Sequence, residues 1–197
     1  MLSALKVDQV SFGELKTKLF SYEELEKILN LRPFMSMNRF RICGPTKKYS
    51  WITSAWSTDH NSWPIDVIEE ITKDNTCYIN DCSKINEKIN KLAQELENIF
   101  NKSVDCHIYF SLNKTANHFK KHKDVSHNLI VSSEGVIKVE IFSETKLEKV
   151  LNTGEYVFIP AGVYHHVTPQ TDKRISCSFP ITLIESEFEN RKWMKIK

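Results

Sequence analysis

Two segments that lie far apart in the chain carry side chains able to bind a metal. The first is His122-Lys123-Asp124, and the second is GEYVFIPAGVYH over residues 154–165. Together they offer two imidazoles and one carboxylate, the ligand set of facial-triad iron sites. Such a site holds its metal on one face and leaves the opposite coordination positions open to other molecules. These residue types therefore predict a catalytic metal site.

The spacing of His122 and Asp124 suits two ligands on one strand. Side-chain direction along a strand repeats every two residues, so both would project to one face while Lys123 points away. His118 and His122 also have the i, i+4 spacing of a zinc-binding helix, but the lysines around them favour a loop that enters a strand. Because a His-x-Asp pair arises easily by chance, the prediction depends on the second segment.

The second segment has the pattern of a strand, a turn and a returning strand. Turns at 154–155 and 160–162 enclose the first strand, and the residues that follow return beside it. His165 then reaches the metal from a neighbouring strand. His166 must face the other way, so only one of these adjacent histidines can be a ligand, and alternation alone does not say which.

The N-terminal half contains three predicted helices. Residues 20–31 form the first, which opens with capping-box spacing at Ser21. A second begins at Pro64, and the third spans 84–100, with Ser83 as a candidate cap. Candidate strands with a turn between them occupy 38–58.

After residue 101 the pattern changes to short strands separated by turn residues. The candidates are Val104–Ser111, Asn128–Ser132, Val136–Phe142, Tyr156–Ile159, His165–Thr168 and Ile175–Ile181. Six such strands after a helical half predict a mainly β fold with N-terminal helices, an antiparallel barrel or jelly roll. A double-stranded β-helix, the cupin barrel, fits both the strand count and the ligand positions.

Length and composition are those of one ordinary globular domain. Within the 197 residues we expect an N-terminal part (1–103) that packs on the barrel, a cupin core with the metal site (104–185) and a C-terminal tail (186–197). The net charge of +2 is too balanced to favour DNA or membranes as partners. The local basic run at 120–123 suits either a solvated rim or a site mouth that attracts a dicarboxylate.

The five cysteines are odd in number, scattered and free of any CxxC motif. This usage favours reduced thiols in a cytoplasmic protein over a disulfide framework or a structural zinc site. The first sixteen residues carry charges throughout, so neither a signal peptide nor a membrane span is expected.

The stretch NHFKKHKDVSHNLIVSSEGVIKVEIF, followed by LNTGEYVFIPAGVYHHV and RISCSFPI, resembles the cupin-fold JmjC-type oxygenases. Its pattern of motifs is most similar to that of the ribosomal-protein hydroxylase branch. The resemblance extends over roughly residues 20–181 and is clearest from 104 onward. The resemblance implies a mononuclear Fe(II) dioxygenase that uses 2-oxoglutarate as co-substrate. It also implies hydroxylation of a C–H bond on a protein or peptide side chain.

Site residues follow from the resemblance position by position. It implies that His122, Asp124 and His165, the first histidine of the adjacent pair, are the iron ligands. Asn128 matches an asparagine near the co-substrate in several relatives. Ser178 falls on a late strand where some relatives place a polar residue that contacts the co-substrate.

One position departs from the pattern of the relatives. They usually carry a lysine or arginine two residues after the glycine of the second strand, to pair with the distal carboxylate of 2-oxoglutarate. Ile137 stands there, and Lys138 follows one residue later, on the other face unless a bulge intervenes. Arg174, in an Arg-x-Ser element, is the other candidate cation, because a guanidinium binds a carboxylate through two hydrogen bonds.

Two alternatives remain at this point. One is a cupin metalloenzyme without 2-oxoglutarate, either an isomerase or a direct dioxygenase, which the isoleucine at 137 favours. The other is a degenerate cupin that serves as a sensor or interaction module, against which the intact triad argues. A small molecule or a modified RNA base stays open as the oxygenase substrate, and the sequence does not indicate an oligomeric state.

Overall fold

The computed structural model describes residues 2, 5–29, 39–43, 65–116, 120–143 and 145–183. These residues form ten strands and three α-helices. In chain order they are β1 (Ser11–Glu14), α1 (Tyr22–Leu29), β2 (Phe40–Cys43), α2 (Ile65–Asp74), β3 (Thr76–Ile79), α3 (Glu87–Phe100), β4 (His107–Ser111), β5 (His127–Glu134), β6 (Ile137–Phe142), β7 (Lys146–Leu151), β8 (Glu155–Ile159), β9 (Tyr164–Pro169) and β10 (Arg174–Ile181).

The strands form two antiparallel sheets. The large sheet has seven strands in the order β1-β8-β5-β10-β4-β3-β2, and the small sheet has three in the order β7-β6-β9. Apolar side chains from both sheets pack together in the space between them: Ile130, Ile137, Val139, Ile141, Leu151, Val157 and Ile159. Facing antiparallel sheets with an apolar interior agree with the predicted mainly β jelly roll.

A second core covers the opposite face of the large sheet. The odd-numbered residues of β10, such as Cys177 and Phe179, pack there with Leu92 and Leu96 of α3 and with Leu25 of α1. The even-numbered residues of β10 consequently face the small sheet, because strand side chains alternate. β10 therefore separates the helical core from the face that carries the site.

The predicted cap of α1 is confirmed. The Glu24 N–H donates to Ser21 Oγ at 3.2 Å, and the Ser21 N–H donates to Glu24 Oε2 at 2.9 Å, which is a capping box. None of the described helices is long and apolar enough to cross a membrane.

The predicted start of the third helix is wrong. α3 begins at Glu87, and its N-cap is Asn86, whose Oδ1 accepts the Ile89 N–H at 2.9 Å. Ser83 lies in a turn that precedes the helix, because the N–H of residue 85 donates to the carbonyl of residue 82.

All six predicted strands of the C-terminal half are present, with shifted ends. β7 was missed, as were β1 and β3, which join the large sheet from the N-terminal part. Of the candidate strands over 38–58, the structure describes β2, and the rest lies outside the described residues, as does the tail over 186–197. The division at 103 and 185 stays a prediction.

Candidate metal centre

Backbone pairing brings the two histidine segments together. The His122 N–H donates to the His165 carbonyl at 3.0 Å, and the His165 N–H donates to the His122 carbonyl at 2.7 Å. His122 thus lies in an isolated antiparallel bridge and not in a strand as predicted. Residues paired in this way project their side chains to the same side, so both imidazoles face the space between the sheets.

The turn before β9 positions Asp124, the third candidate ligand. Gly162 has φ of +84°, a conformation that residues with a Cβ adopt only at a cost. Its N–H donates to the Asp124 carbonyl at 2.9 Å. A glycine at this position therefore lets the turn hold the backbone of Asp124 beside the histidine strand.

The three side chains converge on one point. His122 Nε2 lies 3.8 Å from Asp124 Oδ1, and His165 Nε2 lies 3.6 Å from Asp124 Oδ2. One ligand atom from each residue falls within 4.8 Å of the other two. In the part of the chain that the structure describes, this is the one cluster of histidine, cysteine and acidic side chains with such spacing.

Both imidazoles have hydrogen-bond partners that favour the tautomer able to bind a metal through Nε2. His122 Nδ1 lies 2.8 Å from the Lys120 carbonyl, and His165 Nδ1 lies 3.1 Å from the Val163 carbonyl. A carbonyl can only accept, so each Nδ1 carries the proton and each Nε2 presents its lone pair towards Asp124. Burial lowers the pKa of His165, although Asp124 opposes this shift, and the neutral imidazole is the ligating form.

The orientation of the carboxylate is set by two neighbours. Asn128 Nδ2 donates to Asp124 Oδ2 at 3.2 Å, and Ser178 Oγ donates to Asn128 Oδ1 at 2.8 Å. Asn128 and Ser178, predicted beside the co-substrate, thus form a chain that ends on a triad member. Such outer partners fix the direction of a ligating carboxylate.

The structure distinguishes the two adjacent histidines. His165 is 2% exposed and faces inward, whereas His166 Nδ1 lies 3.1 Å from Glu140 Oε2 on the outer face of the small sheet. Only His165 can therefore join His122 and Asp124.

A cavity of about 250 Å³ adjoins the triad. It lies over the inner face of the large sheet and reaches the apolar interior at Ile130 and Val167. Besides the three triad side chains, its lining includes Tyr78, His107, Tyr109, Asn128, Arg174, Ser176 and Ser178. The triad and three of the four predicted co-substrate residues thus share one cavity.

Arg174 is a buried cation in this cavity, with 3% of its surface exposed. Its guanidinium donates to three hydroxyl groups, those of Ser111 at 3.3 Å, Ser176 at 2.9 Å and Thr76 at 2.8 Å. Three of its five N–H groups are used in this way. Burial lowers its pKa to about 10, so it stays charged at neutral pH.

No carboxylate among the described residues balances this charge. After burial, the largest influences on the pKa of Arg174 come from tyrosines and cysteines, Tyr22 and Cys43 first among them. Buried charges are normally paired, so an unpaired guanidinium on a cavity wall indicates a site for an anion.

Lys138 is not brought to the cavity. The pairings of β6 with β7 and β9 run without a register shift, so no bulge turns this side chain inward. Its Nζ lies 3.6 Å from Glu148 on the outer face, while Ile137 is fully buried between the sheets. Lys138 therefore lies on the face opposite to the cavity, as its one-residue offset predicted.

Sequence reasoning missed much of the cavity wall. His107, which no sequence pattern singles out, lies on this wall with its Nε2 3.2 Å from Asp105 Oδ2. Tyr78 and Tyr109 stack beside it with ring centres 4.8 Å apart. Strand alternation places His107 and Tyr109 on one face of β4, and their pairing with Ser178 and Ser176 makes that face the cavity wall.

Comparisons with known proteins agree with this architecture. No family model and no curated protein matches the chain. Among solved structures, Escherichia coli YcfD superposes with a TM-score of 0.64 at 12% identity, over 96% of this chain and 55% of that one. YcfD, described as a ribosomal oxygenase, in complex with cobalt and 2-oxoglutarate gives 0.64 at 12% identity, over 95% and 52%.

The chain has the fold of the cupin oxygenases. The resemblance predicted from the sequence is thereby confirmed at the level of fold. The chain spans about half the length of the YcfD structures that it matches.

Proposed function

We propose that the protein is an Fe(II)- and 2-oxoglutarate-dependent oxygenase that hydroxylates a C–H bond of a protein or peptide side chain. The observation that carries the proposal is the shared cavity. The candidate metal triad and a buried arginine that forms no ion pair with a carboxylate of the described residues line the same space. Together they fit an anion that chelates a metal at one end and carries a carboxylate at the other.

The donor set fits ferrous iron. His122 and His165 would hold it through Nε2 and Asp124 through one carboxylate oxygen, which leaves the cavity side of the ion open. With 2-oxoglutarate and O₂, such an ion supplies the oxidising chemistry that converts 2-oxoglutarate to succinate and CO₂ and hydroxylates a C–H bond. The protein's own task is to bind, orient and keep water away.

Arg174 is the residue we assign to the distal carboxylate of 2-oxoglutarate. Its guanidinium is held by three hydroxyl groups, and the two remaining N–H groups can donate to a carboxylate as a pair. Lys138 lacks access to the cavity, so it is not the partner we assign. In this chain the cation would come from β10, and β6 would supply the buried Ile137.

Asn128 and Ser178 are assigned a positioning role. Their hydrogen bonds reach Asp124, so they would keep the carboxylate turned towards the ion. Ile130 and Val167 supply apolar surface beside the triad, which limits water around the reacting groups.

We favour a protein or peptide substrate because YcfD, with which this chain shares its fold, is described as a ribosomal oxygenase. A small molecule or a modified RNA base would be revealed as the substrate by an assay of succinate formation in which each class of substrate is offered in turn.

The test is consumption of 2-oxoglutarate by the purified full chain supplied with Fe(II). We expect succinate to form in proportion to 2-oxoglutarate consumed, slowly alone and faster with a substrate. A metal-bound protein that makes no succinate and binds no 2-oxoglutarate would support the alternative, a cupin metalloenzyme without this co-substrate. A protein that binds no divalent metal would support the degenerate cupin.

A further inference from the structure

The His-x-Asp segment makes side-chain contacts on both of its faces. His122 and Asp124 point to the metal centre, while the two lysines beside them, Lys121 and Lys123, point to the outer face of the small sheet. Both lysine ammonium groups lie over the ring of Tyr164, each Nζ 5.2 Å from the ring centre. One tyrosine thus contacts the side chains on either side of His122.

Tyr164 belongs to the strand that carries the third ligand. It directly precedes His165 on β9 and pairs across the sheet with Phe142 of β6, whose ring centre lies 4.2 Å from Lys121 Nζ. The rings of Tyr164 and Phe142 therefore lie on the outer face, behind the candidate ligands on the inner face. Their contacts with the lysines join β9 to the His-x-Asp segment, which are the two segments that the metal would also join.

Tyr164 is exposed on the outer face of the small sheet. It is 42% exposed and belongs to neither apolar core, so core packing does not account for it. Ammonium groups within about 6 Å of an aromatic ring are attracted to its face, and the attraction survives at exposed sites. The ring is thus placed to hold lysines more than to fill space.

The segment it holds is not part of a regular strand. Residues 120–126 pair with β9 and the turn before it through the His122–His165 bridge and the Asp124–Gly162 hydrogen bond. An additional contact on the outer face would restrict how far the two ligands can move. Restriction before binding raises affinity, because less disorder is lost when the ligand arrives.

We propose that Tyr164 is a positioning residue of the metal centre, acting through Lys121 and Lys123 to hold His122 and Asp124 in ligating geometry. The inference rests on the proposed metal site. It assigns to an outer-face aromatic residue a role in metal affinity that the inner-face ligands alone do not reveal.

The experiment measures the affinity of the full chain for Co²⁺, by calorimetry and by the visible absorbance of the bound ion. Tyr164→Leu removes the ring without changing charge, and we expect its affinity to fall by about tenfold, the combined effect of two exposed cation–π contacts. Tyr164→Phe keeps the ring and should bind within about twofold of the natural protein. The melting temperature of the metal-free protein should change little, because the residue is exposed.

A matched control is available where β7 of the small sheet meets β1 of the large sheet. Lys149 Nζ lies 5.1 Å from the ring centre of Phe12, a similar contact made by residues outside the metal centre. Lys149→Met should leave Co²⁺ affinity unchanged.

Tyr164→Thr replaces the leucine variant if that variant does not fold. Joint substitution of Lys121 and Lys123 by Gln completes a double-mutant cycle. Loss of the two lysine charges should strengthen Co²⁺ binding by the same factor whether or not the Tyr164 ring is present. The cycle therefore isolates the contribution of the contacts between the lysines and the ring. We expect non-additivity of about tenfold.

Equal affinity of the leucine variant and the natural protein would overturn the inference. An equal loss in the leucine and phenylalanine variants would do the same, because it would assign the effect to the hydroxyl group. Failure of the natural protein to bind Co²⁺ would instead contradict the proposed function.

Discussion

His122 and His165 exchange two backbone hydrogen bonds, of 3.0 and 2.7 Å, and their ring centres lie 4.4 Å apart. This pairing sets the separation of two ligands that come from distant segments. The proposed metal centre therefore would not depend on the ion alone to bring its ligands together. It is built into the contact between the His-x-Asp segment and β9.

Removal of a ligand should abolish metal binding without unfolding the chain. We expect His122→Ala, Asp124→Ala and His165→Ala each to lose the single Co²⁺ or Fe²⁺ equivalent measured by calorimetry, because two remaining ligands hold such an ion poorly. His166→Ala is the matched control and should retain the full equivalent, since that side chain contacts Glu140 on the outer face. Loss of metal in the His166 variant alone would contradict the assignment.

The Asn128–Ser178 chain should contribute to metal affinity through Asp124. Asn128→Ala is expected to weaken Co²⁺ binding by about 10–100-fold, the usual effect of losing an outer partner of a ligand. Ser178→Ala should have a smaller effect in the same direction. Ser176→Ala, a change to a cavity hydroxyl that bonds Arg174 and not the triad, should leave affinity unchanged. If all three variants bind alike, the chain does not orient the carboxylate.

The turn at Gly162 links backbone conformation to the metal site. Gly162→Ala forces a Cβ into the left-handed region and should destabilise the fold by about 1–2 kcal/mol. Gly154→Ala imposes similar strain at φ of +91° in a turn without a triad contact. Urea unfolding should show a loss in both variants, whereas Co²⁺ affinity should fall only in the Gly162 variant. An equal effect on affinity would indicate a general loss of stability.

Arg174 and Lys138 should differ sharply in their effect on 2-oxoglutarate. Charge-assisted hydrogen bonds contribute roughly 1.5–3 kcal/mol, so Arg174→Gln should weaken binding by about tenfold or more. Arg174→Lys should be intermediate, because an ammonium keeps the charge and loses the planar pair of donors. Lys138→Ala should bind normally. Calorimetry with Mn²⁺ in place of iron gives the affinities, and circular dichroism verifies that each buried-site variant is folded.

Local rules allowed part of this structure to be predicted from the sequence. The capping box at Ser21 and the apolar repeat of α3 are local signals, and both helices are present. The His-x-Asp spacing likewise predicted two inward side chains, although His122 lies in a bridge and not in a strand.

Features that depend on pairing between distant residues were less accessible. β7 has the sequence KLEKVL, in which charged residues obscure the alternation of a strand, and its pairing with β6 defines it. Two of the three hydroxyl partners of Arg174 come from β3 and β4, so its buried environment cannot be read from its neighbours in sequence. The cavity position of His107 could not be predicted for the same reason, since it follows from the register of β4 with β10.

We propose that one cavity binds a metal and 2-oxoglutarate together, with Arg174 of β10 as the cation for the distal carboxylate. Anaerobic calorimetric titration of the Fe²⁺-loaded chain with 2-oxoglutarate tests it most directly. We predict one equivalent bound, strongly weakened when the metal is removed by a chelator. Absence of binding at millimolar 2-oxoglutarate to a protein that has taken up its iron would contradict the account.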